Sequence, residues 1–265
     1  MLLVDSGRFA YSGTDLSNTL HTQYGPYAFA HNTLTLDGAD QLPLPAVAAA
    51  PVPPAAYSFS PSADWVVGSM AQWSAELAGR ATHTRAVYYA RAAAPGGGEG
   101  DFLVVADALA SDRPRAVEAT WHAHPNASGV AVGGPGAGRV AVVGGADTFT
   151  GKPMDVQACI IPATGAGAAA WDAAEVVRGV MQNGTQHYQG WYSQSYDDAS
   201  PAPTLVYRAA AVPDGALFVW LIVPQGARGP CADTAEVLSR AAGSVVVRAT
   251  VGGVAHTVTV PTVSP

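Results

Sequence analysis

Short runs in which apolar and polar residues alternate recur along the chain and predict β-strands. Such alternation places every second side chain on one face, as in strands with one buried face. Strands are predicted at residues 2–5, 32–38, 64–77, 82–91, 101–109, 116–124, 138–144, 155–161, 204–212, 216–224, 244–251 and 255–260. Gly-rich and Pro-rich turns separate them. The pattern predicts an all-β fold, a large antiparallel β-sandwich.

Two segments interrupt this pattern. Residues 43–64 are rich in Pro and Ala, and we expect an extended surface loop there. Residues 233–243 predict one short helix, with Asp233 or Thr234 as N-cap and Gly243 after the last turn. A sandwich of this type accommodates 265 residues, so we expect a single domain over 1–265.

Composition excludes several partners. Hydrophobic residues make up 49% of the chain and charged residues 12%, with a formal net charge of −7. The sequence has no basic stripe with interleaved aromatic residues, which argues against nucleic acid binding. It has no apolar run of 18 residues, which argues against a membrane span. The first residues do not form a signal peptide, so either the protein is cytosolic or the chain begins inside a longer polypeptide.

The two cysteines, Cys159 and Cys231, are too few to define a disulfide framework. We expect them to be free thiols in the core. A single disulfide in a secreted parent protein is the competing interpretation.

Candidate chemistry is sparse when the residues are considered one at a time. His122 and His124 share one face of a strand and could chelate a metal, although packing is the favoured role. Ser6 lacks the glycine elbow of a hydrolase nucleophile, which argues against that chemistry. Composition and spacing alone therefore give an acidic all-β domain without an assigned reaction.

Several longer blocks resemble the heparinase II/III-like polysaccharide lyases. LLVDSGRFAYSG (2–13) and AHNTLTLDGADQ (30–41) are followed, in the family's order, by residues 82–90, 101–111, 190–209 and 217–226. The resemblance implies the family's C-terminal β-sandwich, which in full-length members follows an (α/α) helical toroid that this chain lacks. It also implies cleavage of uronic-acid polysaccharides, of the heparin, heparan-sulfate or alginate type, by β-elimination. A secreted or periplasmic location of the full-length parent is expected on the same grounds.

The resemblance further implies a metal site. Zinc-binding members use a His from an HxHxD block upstream of DSG, the Asp of DSG and the His of HNT. The last two correspond to Asp5 and His31, so we expect these residues to mark an incomplete Zn²⁺ site. The HxHxD block and the toroid's catalytic Asn and Tyr have no counterpart here, so no catalytic residue is assigned. Residues 25–30, GPYAFA, depart from the family's Arg and Ser/Thr.

Two functions remain as hypotheses. In the first, the chain is the C-terminal part of a polysaccharide lyase, is inactive alone, and has an acidic polysaccharide and a helical toroid as partners. In the second, it is a non-catalytic carbohydrate-binding or structural sandwich. Under the second hypothesis Trp191, Tyr192 and Tyr196 could bind substrate by stacking on sugar rings, but packing at a sheet edge is the favoured role for these aromatic residues.

Overall fold

The computed structural model describes residues 3–10, 15–42, 53–91, 100–133, 138–146, 153–181, 187–226 and 231–262. Within them lie one α-helix, α1 (Leu16–Gln23), and 3-10 helices at Ala28–Ala30, Pro54–Ala56 and Ala75–Leu77. The strands, in chain order, are β1 (Leu34–Leu36), β2 (Tyr57–Phe59), β3 (Ala63–Met70), β4 (Ala81–Ala90), β5 (Phe102–Ser111), β6 (Arg115–His122), β7 (Gly129–Val132), β8 (Gly138–Ala146), β9 (Pro153–Pro162), β10 (Thr164–Gly165), β11 (Ala173–Arg178), β12 (Trp191–Tyr192), β13 (Ser200–Pro201), β14 (Pro203–Val212), β15 (Leu217–Gly226), β16 (Thr234–Ala241), β17 (Ser244–Val251) and β18 (Val254–Pro261).

The middle layer is an eight-stranded antiparallel sheet in the order β2-β3-β4-β5-β15-β9-β8-β7. Its central strands are buried on both faces, as shown by β15, in which every residue from Leu217 to Val223 is buried. A strand covered on both sides carries apolar residues at successive positions rather than at alternate ones. The uninterrupted apolar run at 216–224 is therefore characteristic of a central strand.

One face of this sheet packs on a four-stranded sheet in the order β1-β6-β14-β11. Aromatic side chains fill the space between the two layers. The Trp220 ring meets the Trp121 ring edge-on at 5.5 Å between centroids, and Tyr207 approaches Trp220 at 4.8 Å. Since edge-to-face pairs add to the free energy of area burial, this cluster fixes how the two sheets lie on each other. These two sheets are the predicted antiparallel sandwich, which is confirmed.

The opposite face of the middle sheet is covered by a third layer, in the order β10-β16-β17-β18. Val237, Val245 and Val247 of this layer pack on Val104 and Leu221 of the middle sheet. The β10–β16 pair is parallel, unlike the other pairs of named strands among the described residues. Most of this layer lies at the C-terminal end of the chain.

A disulfide joins Cys159 of β9 to Cys231, which precedes β16. The expectation of free thiols is therefore wrong, and the alternative of a single disulfide is correct. The two cysteines are 72 residues apart in sequence, so their proximity arises from the stacking of the third layer on the middle sheet. Local sequence carries no signal for such a contact.

A small lobe beside the four-stranded sheet contains α1. The Asp15 carboxylate caps this helix by accepting a hydrogen bond from Asn18 N at 3.0 Å. The helix buries Leu20 beside Tyr24, Phe29 and Trp191. At eight residues it cannot span a bilayer, and no helix in the described part of the chain is long and apolar enough to do so.

A carboxylate with no solvent exposure, Asp107 of β5, lies inside the sandwich. His83 Nε2 approaches its Oδ1 at 2.7 Å, and Arg85 donates to both of its oxygens at 2.7 and 3.0 Å. Trp220 Nε1 donates to Oδ2 at 3.2 Å. The Arg85 charge and these hydrogen bonds outweigh the cost of burial and hold the pKa of Asp107 well below its usual range. The side chain is therefore an ionised, fully hydrogen-bonded anion.

The segment predicted as a helix is the strand β16. Ala235 and Val237 are buried with a spacing of two, and the Glu236 side chain faces Arg248 across the strand pair. The sequence has the helix-capping residues Asp233 and Thr234. In a strand, however, Ala235 and Val237 are both buried against the middle sheet, and this burial outweighs the local preference for a helix.

The predicted loop at 43–64 also needs correction within its described part, 53–64. Pro54–Ala56 is a 3-10 helix, and Tyr57–Phe59 pairs with β3 as an edge strand. An edge strand needs hydrogen bonds on one side only, so a proline-rich approach is compatible with it. Residues 43–52 lie outside the described residues. Of the predicted strand at 2–5, residue 2 lies outside the described residues, and residues 3–5 form a single bridge, between Leu3 and Ala123.

Candidate functional site

Asp5 and His31 are brought together at the surface, 26 residues apart in sequence. His31 Nδ1 lies 2.5 Å from Asp5 Oδ1. Both side chains reach solvent, with exposed fractions of 40% for His31 and 67% for Asp5. Resemblance alone paired these two residues, and the fold places them in direct contact.

The contact shifts both groups toward their charged forms. The hydrogen bond from His31 lowers the pKa of Asp5, and the same bond raises the pKa of His31. Partial burial opposes each shift and is outweighed. Both shifts therefore favour the charged forms, imidazolium for His31 and carboxylate for Asp5.

Asn32 links the two segments that carry the pair. Its Nδ2 donates to Val4 O at 3.0 Å, and its Oδ1 accepts from His122 N at 2.6 Å. Its backbone oxygen accepts from Arg85 Nη1, which connects the segment to the buried Asp107 cluster. Val4 precedes Asp5 and Asn32 follows His31 in the chain, so these hydrogen bonds hold the two segments at a fixed separation.

A buried polar layer lies behind the pair and contains His122, Gln189 and Tyr24. The ring nitrogens of His122 face Asn32 Oδ1 at 3.2 Å and Gln189 Oε1 at 3.3 Å. Gln189 Oε1 also accepts from the Tyr24 hydroxyl at 3.2 Å. Burial lowers the pKa of His122 to about 4, although the hydrogen bond to Gln189 opposes this. The neutral ring carries one N–H and therefore donates to only one of the two oxygens.

These contacts favour the packing role for His122. Both of its ring nitrogens are directed at side-chain amides, and the His124 ring instead approaches Tyr192 at 5.7 Å between centroids. Within the described residues, no group of three or more His, Cys, Asp or Glu side chains is arranged to hold a metal ion. The pair Asp5 and His31 thus supplies two potential ligands and no third.

The aromatic block at 190–198 packs on the turn that follows Asp5. Ser193 N donates to Ser6 O at 2.8 Å, and Asp197 N donates to Phe9 O at 2.8 Å. Gly7 has φ of 79°, and a Cβ atom there would lie 2.3 Å from Ser193 O. Only glycine fits this approach. The turn after Asp5 and the aromatic block at 190–198 therefore pack together and form one surface.

The three aromatic candidates in that block have different environments. Trp191 is only 7% exposed and donates from Nε1 to Val180 O at 2.9 Å, which favours a packing role. Tyr192 is half-buried beside His124, and Tyr196 is 58% exposed. Sugar stacking by Tyr192 or Tyr196 stays a prediction.

Comparison with known proteins gives the chain a family context. The family model described as heparinase II/III-like, C-terminal, matches residues 1–221. No curated protein sequence matches the chain significantly. Heparan sulfate lyase HepC from Pedobacter heparinus aligns with a TM-score of 0.65 and 15% identity, covering 98% of this chain and 34% of HepC.

Two further solved structures are similar. Heparinase III, described as the BT4657 gene product, aligns with a TM-score of 0.63 and 12% identity. Another heparinase III crystal structure gives 0.64 and 15%. Each alignment covers 98% of this chain and 34% of the other chain, so this chain spans about a third of their length. At these identities the similarity shows a shared fold.

Proposed function

Since this chain belongs to the heparinase II/III-like C-terminal family, we propose that it is the β-sandwich part of a polysaccharide lyase. The exposed Asp5–His31 pair, held by Asn32, is the observation that carries the proposal. A polar, solvent-accessible pair on a rigid scaffold is what an active-site edge requires. The acidic polysaccharide and the helical toroid are the partners that this proposal needs.

The proposed reaction is β-elimination on a uronic acid. A base removes the C5 proton, a double bond forms between C4 and C5, and the bond to the 4-oxygen breaks. An acid protonates that oxygen as it departs. We assign none of these steps to residues of this chain and expect them from a helical toroid. The sandwich on its own is proposed to be inactive.

Zinc is proposed as the ion that Asp5 and His31 help to hold. A carboxylate oxygen and an imidazole nitrogen are both ordinary zinc ligands, and a tetrahedral site needs four. The pair therefore fits as part of a site that a toroid or solvent completes. A bound ion would supply a fixed positive charge at this edge. Zinc would compete with a proton for His31, because a ligating imidazole is neutral whereas the contact with Asp5 favours the protonated form.

An oxidising compartment is proposed for the parent protein. The Cys159–Cys231 disulfide supports it, because such bonds persist outside the reducing cytosol.

Turnover by the purified 265-residue chain tests the incompleteness. The chain is added to heparin, heparan sulfate and alginate, and the ultraviolet absorbance of the unsaturated product is followed. We expect no turnover by the chain alone. Strong turnover would contradict the assignment of the chemistry to a toroid.

Zinc content tests the metal assignment. Elemental analysis after zinc loading and dialysis is compared for the wild type and His31→Ala, with His21→Ala on α1 as the control. We expect zinc to be lost only from His31→Ala. Equal zinc in all three proteins would remove Asp5 and His31 from the site.

A non-catalytic carbohydrate-binding sandwich is the second candidate, and the 58% exposure of Tyr196 favours it. Sugar affinity that persists without any zinc binding, and without turnover when a helical domain is supplied, would support this candidate.

A further inference from the structure

We propose that Tyr27, Phe29 and His187, here named the aromatic ridge, form a binding subsite for an uncharged sugar ring. The ligand proposed here is a neutral saccharide, distinct from the acidic polysaccharide of the proposed function, and the inference shares with that function only the class of ligand. It concerns residues in the GPYAFA stretch and beyond, which no earlier step assigned to binding.

The three rings of the aromatic ridge are nearly parallel. Tyr27 and Phe29 lie 5.4 Å apart between centroids with an interplanar angle of 8°. Phe29 and His187 lie 4.5 Å apart at 18°. Phe29 is 7% exposed and supports the other two, whereas Tyr27 is 37% exposed and His187 is also exposed. Two accessible rings thus stand on one buried ring.

The backbone under the aromatic ridge is held in place on both sides. Ala28 N donates to Asp40 Oδ1 at 2.5 Å, and Phe29 O accepts from Gln189 Nε2 at 3.0 Å. The ridge residue Phe29 is two positions before His31 in sequence, and Gln189 touches His122 behind the Asp5–His31 pair. The ridge and the pair therefore share one rigid support.

Two clefts meet at the aromatic ridge, since Phe29, His187 and Gly38 line both. One cleft, of about 530 Å³, runs over the outer face of the four-stranded sheet. The other, of about 400 Å³, also includes Tyr27 and Leu42. Each is large enough for a monosaccharide unit. A ridge between two clefts can stack on one sugar while its neighbours continue on either side.

The charges of the two clefts select against anionic sugars. Asp40 and Glu76 line the smaller cleft, and none of the described residues that line it is Lys or Arg. Glu118 and Asp172 line the larger one. Arg208, the one arginine among its described lining residues, is paired with Glu118 at 2.8 Å and with Glu175. Sulfate or carboxylate groups would be repelled here, whereas carboxylates accept hydrogen bonds from sugar hydroxyls. Charge and aromatic surface together point to a neutral ring.

Calorimetric titration of the 265-residue chain tests the proposal. The probes are an uncharged N-acetylglucosamine tetramer and a heparin tetrasaccharide. We expect the neutral tetramer to bind more tightly than the sulfated one. Tyr27→Ala should weaken its binding about tenfold, the loss expected when about 1.4 kcal/mol of stacking is removed.

Tyr57→Ala is the matched control, because Tyr57 has the same 37% exposure and also contacts a phenylalanine ring, but lies on the edge strand β2. This variant should bind like the wild type. Glu76→Gln should improve binding of the sulfated tetrasaccharide and leave the neutral one within about twofold, as a change in charge repulsion predicts.

Three results would overturn the proposal: no binding of the neutral tetramer, equal losses in Tyr27→Ala and Tyr57→Ala, or tighter Tyr27-dependent binding of the heparin fragment. None of these depends on turnover or zinc, so the ridge can fail while the proposed lyase function stands. Loss of zinc binding or unexpected turnover would likewise leave the ridge unaffected.

Discussion

Two pairs of His and Asp side chains in this protein have similar contacts and opposite surroundings. His83 and Asp107 meet at 2.7 Å with exposed fractions of 5% and 0%. His31 and Asp5 meet at 2.5 Å with exposed fractions of 40% and 67%. In the buried pair the carboxylate also accepts hydrogen bonds from Arg85 and Trp220, whereas the carboxylate of the exposed pair faces solvent. Burial, rather than residue type, separates a structural pair from an accessible one.

Breaking the buried pair should have the largest effect. Asp107→Asn removes the buried anion and leaves the half-buried Arg85, whose side chain is 22% exposed, without its counter-charge. We expect a loss of about 3–5 kcal/mol in the free energy of unfolding, as found when one partner of a buried pair is removed. Urea denaturation measures this loss.

The control for that variant is Asp64→Asn, because Asp64 also pairs with an arginine, Arg91, through two hydrogen bonds. Its pair is partly exposed, at 35% for Arg91 and 24% for Asp64. We expect a clearly smaller shift of the denaturation midpoint. Equal shifts in the two variants would contradict the distinction based on burial.

Lowering the pH should have an intermediate effect on stability, because His122 lies in the buried layer behind the exposed pair. Folding lowers the pKa of His122 from 6.5 to about 4, so the unfolded chain binds the extra proton first. Stability should therefore be retained above pH 6.5 and fall as the pH decreases toward 4, by about 3 kcal/mol at most. Denaturation midpoints across this range, with His122→Gln as comparison, measure the slope.

The pKa shifts of Asp107 and His31 contribute to the pH dependence of stability outside that window. Asp107 has a lowered pKa, so its contribution is lost only as the pH falls below its unfolded value of 3.8. His31 has a raised pKa, so its contribution is present below pH 6.5 and lost as the pH rises through the folded value. If the denaturation midpoint of His122→Gln changes with pH between 4 and 6.5 as much as that of the wild type, a group other than His122 causes the change.

Changing the exposed pair should have the smallest effect on stability. Asp5→Asn keeps the shape of the side chain and removes its charge, and solvent already screens the attraction to His31. We expect a loss below about 1 kcal/mol. Thermal denaturation checks this, and a loss as large as that of Asp107→Asn would mean that the pair is part of the core.

The central strands could be predicted from sequence because burial on one or both faces leaves a local pattern. Residues 82–91, 101–109 and 216–224 differ from β4, β5 and β15 by only a few residues at their ends. The helix α1 was missed because its apolar positions, Leu16 and Leu20, are too few to produce a periodic signal. At β16 the same residues carry helix-capping signals and the alternation of a strand. The segment is a strand because it packs in the third layer, which local sequence does not show.

The candidate site was predictable in part for a different reason. Resemblance indicated Asp5 and His31 as a pair, but nothing local showed that Asn32 would connect their segments. Gln189 lies 67 residues from His122 and contributes through its amide, a group without a distinctive sequence pattern. The HNT block did contain Asn32, and its polar side chain before an apolar strand was the one available signal.

The disulfide between β9 and the start of the third layer closes a covalent ring within the chain. Residues 159 and 231 bound that ring, which includes β14, β15 and the block that packs on the DSG turn. A protease that cuts once inside it produces two peptides that stay attached until a reductant is added. The molecule can thus lose continuity of its backbone there and still migrate as one species on a non-reducing gel.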